Sequence, residues 1–411
     1  MKIKQIARDA LIVVLVTVGL LVALELVLRV SFPELAKARS APTSVAFQYN
    51  SKYLVALKPN IVKEYTNSPE DGGATIVWKT NSLGFRGDEI GDKRGVRVIV
   101  YGDSNVHARF SPDEETYPAQ LQKMLRQKWA DAQVINAGMT GSGPDQSLLR
   151  LQEDFERVKP DVVVFHIFAD NDYGDLIKNR LFKLSGNGEL VETGFPPTVD
   201  PKLASWGPAI GNAFRHWYLQ GAVNRLIARA AAAKTSSLSE NEKVERSLQL
   251  LEENNALAYV PYRENKPREF SHFKDFYDID IATHPQSESA RTKIALMGKI
   301  LEAASRFCAT KNIRFMVVVQ PSMIDMTTRG YGAFAPIGYT DLAKKYPKYK
   351  PANLTDPLKQ ICLRERLSCV HLIDSYRQHD PEHLYISDGH WNGEGQRIAA
   401  EETAKNMVLP H

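Results

Sequence analysis

The sequence of 411 residues contains little cysteine: Cys308, Cys362 and Cys369 are its only three. Three thiols cannot build the disulfide framework of a small secreted domain, and a chain of this length can bury a large apolar core instead. Cys362 and Cys369 are near enough in sequence to pair in an oxidising compartment, but their spacing does not decide whether they do. Cys308 lies in a helical pattern and is interpreted as a core residue.

The chain also lacks an excess of charge of one sign. It has 52 basic and 48 acidic residues, a formal net charge of +4, and 43% hydrophobic residues. Such a balance produces no strong field for a polyanion, so nucleic acid is not a predicted partner. No internal repeat or low-complexity tract is present. The composition is that of an ordinary globular protein.

Long apolar runs are absent except at the N-terminus. Residues 10–24 contain no charged side chain, and the run extended through Glu25 to Leu28 is 19 residues long. A helix needs roughly 20 apolar residues to cross a bilayer. Glu25 and Arg29 are four residues apart and would pair on one helix face near the interface. The sequence therefore predicts a membrane anchor in residues 1–32.

A cleaved signal peptide is the alternative to this anchor. Its apolar core is usually shorter, and the Ala36-Lys37-Ala38 site lies far beyond the run, so an uncleaved transmembrane helix is favoured. Basic residues flank the run almost equally, with Lys2, Lys4 and Arg8 before it and Arg29, Lys37 and Arg39 after it. The short basic N-terminus favours a single-pass protein of the inner membrane, with its main domain in the periplasm or outside the cell.

The rest of the chain divides into two parts. Residues 33–95 are interpreted as a linker with small strands and a glycine turn, "NSLGFRG". Residues 96–408 alternate short Val/Ile-rich runs with helical periods. The predicted strands are Arg97–Tyr101, Gln133–Asn136, Asp161–Phe168, Ile313–Gln320 and Cys369–Ile373. The predicted helices are Glu115–Trp129, Asp145–Val158, Ala290–Thr310, Leu354–Arg366 and Gly393–Met407. Nearly continuous apolar strands that alternate with helices predict an α/β fold whose parallel sheet is covered on both faces.

An insert at 173–289 interrupts this alternation between the third and fourth strands. Its segment 217–234 has the apolar spacing of an amphipathic helix, which we interpret as packed on the domain rather than lying on a membrane. An insert there would cover the carboxyl ends of the strands, where open α/β sheets bind ligands. It also contains a His/Asp-rich stretch whose spacing fits no metal site, so an exposed loop is predicted; its residues are His272, Asp275, Asp278, Asp280 and His284.

Gly102-Asp103-Ser104 ends the first predicted strand in an abrupt turn. This position would place the Ser104 hydroxyl at the carboxyl edge of the sheet, where backbone N–H groups can stabilise an oxyanion. The alternative is purely structural: glycine permits the turn, and Asp103 or Ser104 caps the next helix. A serine nucleophile also needs a base.

"SDGHWN" near the C-terminus supplies such a base. A serine hydroxyl is a weak nucleophile until an imidazole takes its proton, and a carboxylate then orients the imidazole and stabilises its charged form. Asp388 and His390 offer both groups in one loop, before a helix that Asn392 would cap. Taken alone, the same residues would be a solvated turn.

Two further loops follow the second and third strands. Gly141 could bring a backbone N–H close to a substrate oxygen, and Asn171 could offer a side-chain amide. Each has a structural alternative, a glycine that starts a helix and an Asn-Asp turn. His166, inside the third strand, is interpreted as a core residue, and His107 is not assigned a role. Together the loops place a nucleophile, two oxyanion donors and a base at successive strand ends.

These four blocks resemble the SGNH/GDSL hydrolases, over roughly residues 95 to 408 and excluding the insert. The resemblance implies a flavodoxin-like three-layer α/β/α domain with strand order 2-1-3-4-5. It also implies that Ser104 is the nucleophile and His390 the base, that Asp388 orients His390, and that Ser104, Gly141 and Asn171 form the oxyanion hole. No metal or cofactor is expected.

Two departures from the family pattern occur. Only Gly389 stands between Asp388 and His390, where many members have two residues, and Asn105 replaces the usual Leu after Gly-Asp-Ser. The form "DGHWN" resembles a membrane-anchored, envelope-associated branch that includes relatives of alginate O-acetyltransferases.

The sequence therefore predicts a serine esterase or O-acyltransferase that acts on ester groups, O-acetyl above all, of an envelope or extracellular polysaccharide. Polysaccharide-assembly proteins are partners that this resemblance suggests. Two alternatives stay open: a non-catalytic scaffold for exopolysaccharide assembly, and a membrane-associated lipase or phospholipid esterase.

Overall fold

The computed structural model describes residues 2–31, 46–67, 71, 73–194, 238–264, 278–327, 339–387 and 389–408. The chain divides into two compact units, one formed by Met1–Thr43 with Val199–Ser239 and the other by Ser44–Thr198 with Glu240–His411. The predicted helix at 217–234 and the residues His272, Asp275 and Asp388 lie outside the described residues.

The elements are numbered along the chain. The strands are β1 Phe47–Asn50, β2 Leu54–Leu57, β3 Val62–Thr66, β4 Thr75–Lys79, β5 Arg97–Gly102, β6 Gln133–Gly138, β7 Val162–Phe168, β8 Phe182–Leu184, β9 Leu190–Glu192, β10 Arg314–Gln320 and β11 Ser368–His371. The helices are α1 Lys2–Ser31, α2 Ser104–His107, α3 Tyr117–Leu125, α4 Pro144–Val158, α5 Asp172–Asn179, α6 Glu240–Arg263, α7 Ile279–Thr283, α8 Glu288–Thr310, α9 Tyr339–Lys345, α10 Asp356–Arg364, α11 Ile373–Gln378 and α12 Gly393–Asn406.

The first unit contains α1, which covers the apolar run of the N-terminus. The structure corrects the prediction of a transmembrane helix there: among the described residues no helix is long and apolar enough to cross a membrane. The run counted from the sequence includes Glu25, whose carboxylate forms an ion pair with Arg29 (2.9 Å) inside the same helix.

The second unit is built on a five-stranded parallel sheet. Its order across the sheet is β11-β10-β7-β5-β6, and every neighbouring pair is parallel. Numbered by their place in the chain, these five strands have the order 2-1-3-4-5. The prediction of an α/β fold with this order is therefore confirmed, and the chain has the fold that the resemblance to SGNH/GDSL hydrolases implies.

Alternating residues of the central strands pack on opposite layers of helices. Val98 and Val100 of β5 lie in a core cluster with residues of α3, α11 and α12. Ile99 and Tyr101 lie in a second cluster with residues of α4, α8 and α10. Because side chains alternate along a strand, a strand buried on both faces must be apolar throughout, which explains the continuous Val/Ile runs. The result is a three-layer α/β/α domain.

Two antiparallel hairpins, β1–β2 and β3–β4, precede the sheet. The "NSLGFRG" turn follows them, and the side-chain oxygen of Asn81 accepts hydrogen bonds from the main-chain N–H groups of Leu83 and Phe85, both at 3.0 Å. Gly84 has a φ of +82°, and a Cβ there would come within 2.9 Å of the Leu57 carbonyl oxygen. Glycine is therefore required at this position.

Most element boundaries agree with the sequence to within two or three residues. The largest difference is the end of α3, which is Leu125 rather than Trp129, and the last predicted strand is too long because Ile373 already belongs to α11. The exposed loop predicted around Asp278 and Asp280 is also wrong: both side chains are buried and form ion pairs with the buried Lys293, at 2.8 and 2.7 Å. Pairing with a buried cation offsets the cost of removing these carboxylates from water.

The cysteines occupy two environments. Cys308 is fully buried in α8, as predicted. Cys362 of α10 and Cys369 of β11 form a disulfide, which settles the pairing that their spacing left open. The bond covalently links α10 to β11, the edge strand that follows it.

Candidate active site

Ser104 lies at the carboxyl end of β5, as the sequence predicts. Asp103 caps the short helix that follows, because its carboxylate accepts the main-chain N–H of Asn105 at 2.8 Å. A Cβ at Gly102 would lie 2.5 Å from Val106 Cγ2 and 3.0 Å from His166 Cβ, so only glycine fits at the turn. The capping role therefore belongs to Asp103, and Ser104 is left half-buried at the first helical position.

The Ser104 hydroxyl makes no hydrogen bond within the described part of the chain. The bond between a nucleophile and its base is often loose until substrate binds, so this does not exclude a catalytic role. The position of the His390 loop relative to Ser104 is a stronger criterion for a catalytic role.

His390 lies in a tight loop before α12. The main-chain N–H of Ile386 donates to the His390 carbonyl (2.8 Å), and Gly389 bends the loop with a φ of +87°. Asn392 caps α12 through the N–H groups of Glu394 and Gly395, as predicted. The imidazole of His390 is half-buried. Asp388 is not described, so its orienting role stays a prediction.

A hydrogen bond joins the Ser104 loop to the His390 loop. The main-chain N–H of Trp391 donates to the side-chain oxygen of Asn105 (3.2 Å), across 286 residues of sequence. The amide of Asn105 also donates to the Asp103 carboxylate at 3.4 Å. On the other side, the ring centroids of Phe110 and His390 are 5.0 Å apart. The residues that follow the predicted nucleophile and base are thus in direct contact.

The Gly141 loop is fastened to the same strand end. The main-chain N–H of Met139 donates to the Gly102 carbonyl (2.9 Å), and the hydroxyl of Ser142 donates to the same oxygen (3.2 Å). Gly141 has a φ of +73°, the left-handed region that favours glycine. Its neighbour Thr140 shares a hydrogen bond with a ring nitrogen of His107 at 2.8 Å. The loop therefore lies beside α2, which Ser104 begins.

Asn171 lies at the end of β7, one strand over from Ser104. It occupies the N-cap position of α5, yet its side chain does not cap the helix. Its side-chain oxygen is buried and has no hydrogen-bond partner among the described residues. The Asn171 side chain therefore does not make the capping hydrogen bond expected if this loop were only an Asn-Asp turn.

Two buried histidines lie close to the site and are held neutral. His166 lies beneath Gly102, with its ring 4.8 Å from that of Trp391, and burial lowers its pKa to about 3. His107 packs edge-on against Trp78 at 4.7 Å, and burial followed by the nearby Arg86 lowers its pKa well below the ordinary value. Neither can accept a proton at neutral pH, which leaves His390 as the candidate base.

The β3–β4 hairpin contributes to both loops, which the sequence did not indicate. The Asn67 amide donates to the Phe110 carbonyl (3.0 Å), and the rings of Tyr65 and Phe110 are 5.1 Å apart. The carboxylate of Asp71 accepts both the main-chain N–H and the hydroxyl of Ser387, at 2.7 and 2.8 Å. Tyr65, Asn67 and Asp71 therefore form a wall of the site.

One cluster of residue types that bind metals occurs in the described ranges, formed by Cys362, Cys369 and His371. The two sulfurs are bonded to each other, so they cannot act as thiolate ligands. The cluster also lies at the edge strand and is not part of the arrangement around Ser104.

Comparisons with known proteins found solved structures only: no family model and no curated protein matches the chain. Among the matches is an alpha/beta hydrolase enzyme from the metagenome of Lake Arreo in Spain, with 14% identity, 76% of this chain and 94% of that one covered, and a TM-score of 0.37. The acetyl xylan esterase AlAXEase matches with 12% identity, 76% and 100% coverage and a TM-score of 0.37. A putative lipolytic protein of the G-D-S-L family from Desulfitobacterium hafniense DCB-2 matches with 9% identity, 76% and 100% coverage and a TM-score of 0.34. Similarities this low carry no argument about chemistry, which depends on the geometry above.

Proposed function

We propose that this chain is a serine esterase or O-acyltransferase of the SGNH/GDSL type, with Ser104 as nucleophile and His390 as base. The observation that carries the proposal is the hydrogen bond between Trp391 and Asn105, because it joins the loops of these two residues. Ser104, the Gly141 loop and Asn171 also lie at the ends of neighbouring strands of one sheet. Asp388 completes the proposal as the group that orients His390.

The reaction proceeds in two steps. His390 takes the proton of the Ser104 hydroxyl as its oxygen attacks the ester carbonyl carbon. The tetrahedral oxyanion is stabilised by the main-chain N–H groups of Ser104 and Gly141 and by the Asn171 amide. The bond to the alcohol oxygen then breaks, and the alcohol leaves with the proton from His390. Water or an acceptor hydroxyl attacks the acyl-enzyme by the same route, so hydrolysis and transfer use identical groups.

An O-acetylated envelope or extracellular polysaccharide is the proposed substrate. This part of the proposal is supported by the resemblance of "DGHWN" to the envelope-associated branch, and polysaccharide-assembly proteins are the partners it suggests. The disulfide between Cys362 and Cys369 supports an oxidising compartment outside the cytoplasm, because such bonds are rare where thiols are kept reduced.

The test is covalent labelling of the full chain with a fluorophosphonate, followed by turnover of short-chain p-nitrophenyl esters. We expect labelling and acetyl-ester turnover that disappear in Ser104→Ala. Ser305→Ala is the matched control, because Ser305 is also half-buried but lies on α8. A folded wild-type chain that neither labels nor turns over ester would contradict the proposal and favour the scaffold alternative. A preference for long acyl chains would favour the lipase alternative.

A further inference from the structure

Arg109 is the one arginine close to α2 whose guanidinium has no hydrogen bond or ion pair to any described residue. Its two neighbouring arginines donate hydrogen bonds within the fold. Arg86 donates to the carboxylate of Asp113 and to the main-chain carbonyls of His107, Ala108 and Ser111. Arg150 donates to the Ala137 carbonyl at 2.6 Å. Among the described residues, Arg109 therefore carries a positive charge that is not bound by any carboxylate or carbonyl oxygen.

The side chain of Arg109 is held in place by two aromatic rings. Its guanidinium carbon lies 4.5 Å from the ring centroid of Phe110 and 5.5 Å from that of Tyr65. Both distances are within the range of a cation–π interaction. The hydrogen bond from Asn67 to the Phe110 carbonyl fixes this stack to the β3–β4 hairpin. Such contacts restrict the rotamers of a long side chain, so the charge is positioned before any ligand binds.

The Nε atom of Arg109 is buried without a hydrogen-bond partner in the described residues. A buried N–H group left unpaired costs free energy, and folded proteins rarely leave one so. A guanidinium presents its N–H groups as a fork that matches the two oxygens of a carboxylate or phosphate. The missing partner is therefore best supplied by an oxyanion from outside the chain.

The place of Arg109 indicates which part of the substrate would carry this anion. The Phe110 ring that contacts Arg109 also lies 5.0 Å from the ring of His390. In the proposed reaction His390 returns the proton to the leaving alcohol, so the alcohol part of the ester lies on the His390 side of Ser104. Arg109 lies on this same side, separated from His390 by the ring of Phe110.

We propose that Arg109 binds an anionic group, a carboxylate or a phosphate, on the alcohol part of the acylated substrate. This inference rests on the proposed function and adds the chemical class of the alcohol. The stack of Tyr65, Arg109 and Phe110 is then a specificity element, and the β3–β4 hairpin contributes half of it.

Binding is tested separately from turnover, in the full chain with Ser104→Ala, by titration calorimetry with three acetate esters of para-substituted phenols. They are 4-acetoxybenzoate, 4-acetoxyphenyl phosphate and the neutral 4-acetoxybenzamide. We expect at least one anion to bind about 10-fold or more tightly than the amide, and the comparison of the two anions distinguishes carboxylate from phosphate. Adding Arg109→Gln should remove the preference, and Arg109→Lys should retain only part of it, because lysine keeps the charge without the fork.

The matched control is Arg94→Gln, which removes the same charge from an exposed residue before β5, at the opposite end of the strand from Ser104. The inference is overturned if no anion is preferred, if the preference survives Arg109→Gln, or if Arg94→Gln reduces it equally. Turnover of the same esters by the wild-type chain tests the proposed function. An anion preference that depends on Arg109, without any turnover, would support this site while contradicting the esterase proposal.

Discussion

The main-chain N–H of Trp391 donates a hydrogen bond to the side-chain oxygen of Asn105, 3.2 Å away. Asn105 is buried, and its own amide is directed to the carboxylate of Asp103, so its oxygen is turned towards Trp391. The position that departs from the Gly-Asp-Ser-Leu pattern is therefore the one that connects the two loops of the proposed site.

Replacing Asn105 by Leu, the residue of the family pattern, is expected to lower kcat about 10- to 100-fold with little change in KM. A leucine cannot accept the Trp391 N–H, and a misplacement of about 1 Å between base and nucleophile can cost 100-fold in rate. The measurement is steady-state turnover of p-nitrophenyl acetate, with a thermal melt to confirm folding. Wild-type kcat in a folded Asn105→Leu chain would show that the bond does not position His390.

Asn171→Ala tests the proposed oxyanion hole. Removing one oxyanion donor costs roughly 100- to 1,000-fold in kcat in serine hydrolases. Because the Asn171 side chain does not cap α5, its loss should leave stability almost unchanged. We expect kcat to fall by this factor while KM stays within a few-fold. A kcat reduced less than about 10-fold would remove Asn171 from the hole.

Gly141→Ala separates backbone strain from catalysis. Gly141 and Gly188 both have left-handed φ values, of +73° and +79°, so an alanine at either should destabilise the fold by about 1 kcal/mol or somewhat more. Gly188 lies in the turn of the β8–β9 hairpin, where a Cβ would meet nothing within 4 Å. Denaturant unfolding should show similar losses for both variants, whereas only Gly141→Ala should also lower the turnover of p-nitrophenyl acetate. Equal activity in the two variants would argue against a role for the Gly141 N–H.

The sheet could be predicted from sequence because its strands are buried on both faces. Continuous runs such as Arg97–Gly102 and Val162–Phe168 leave no polar face, and only a parallel sheet between two helix layers accommodates them. Ser104 and His390 could be proposed as nucleophile and base because chemistry restricts the residues that can take these roles. The order of the strands came from the resemblance, since local patterns do not specify which strands pair.

The contributions of the hairpins and of Asn105 could not be predicted in this way. The hydrogen bonds that Ser387 donates to Asp71 join residues 316 positions apart, and neither residue type indicates a contact. The ion pairs of Asp278 and Asp280 with Lys293 could not be predicted either, because Lys293 lies on another helix. Acidic residues in a polar segment predict an exposed loop when their buried cationic partner is not known.

Asp325→Asn tests the electrostatic cost of a buried carboxylate. One oxygen of Asp325 accepts three hydrogen bonds at 3.1 Å, from the main-chain N–H groups of Leu354 and Thr355 and from the Thr355 hydroxyl, while the other oxygen has no partner among the described residues. Burial raises the pKa of Asp325 from 3.8 to about 7. An asparagine can place its oxygen where the three donors point and its amide where no partner stands, so the bonds are kept and the charge is removed.

The sign of the effect follows from proton binding. Between pH 4 and pH 7 the folded wild-type chain holds a proton on Asp325 that the unfolded chain has lost, so this group stabilises the fold below pH 4 and loses that contribution as the pH rises through about 7. The free energy of unfolding of the wild type, measured by denaturant titration, should therefore fall relative to that of Asp325→Asn as the pH is raised from 5 to 8. Asp92→Asn is the control for removing a negative charge from an exposed position. A difference between wild type and Asp325→Asn that is constant over this range would mean that Asp325 is already ionised in the folded chain at pH 5.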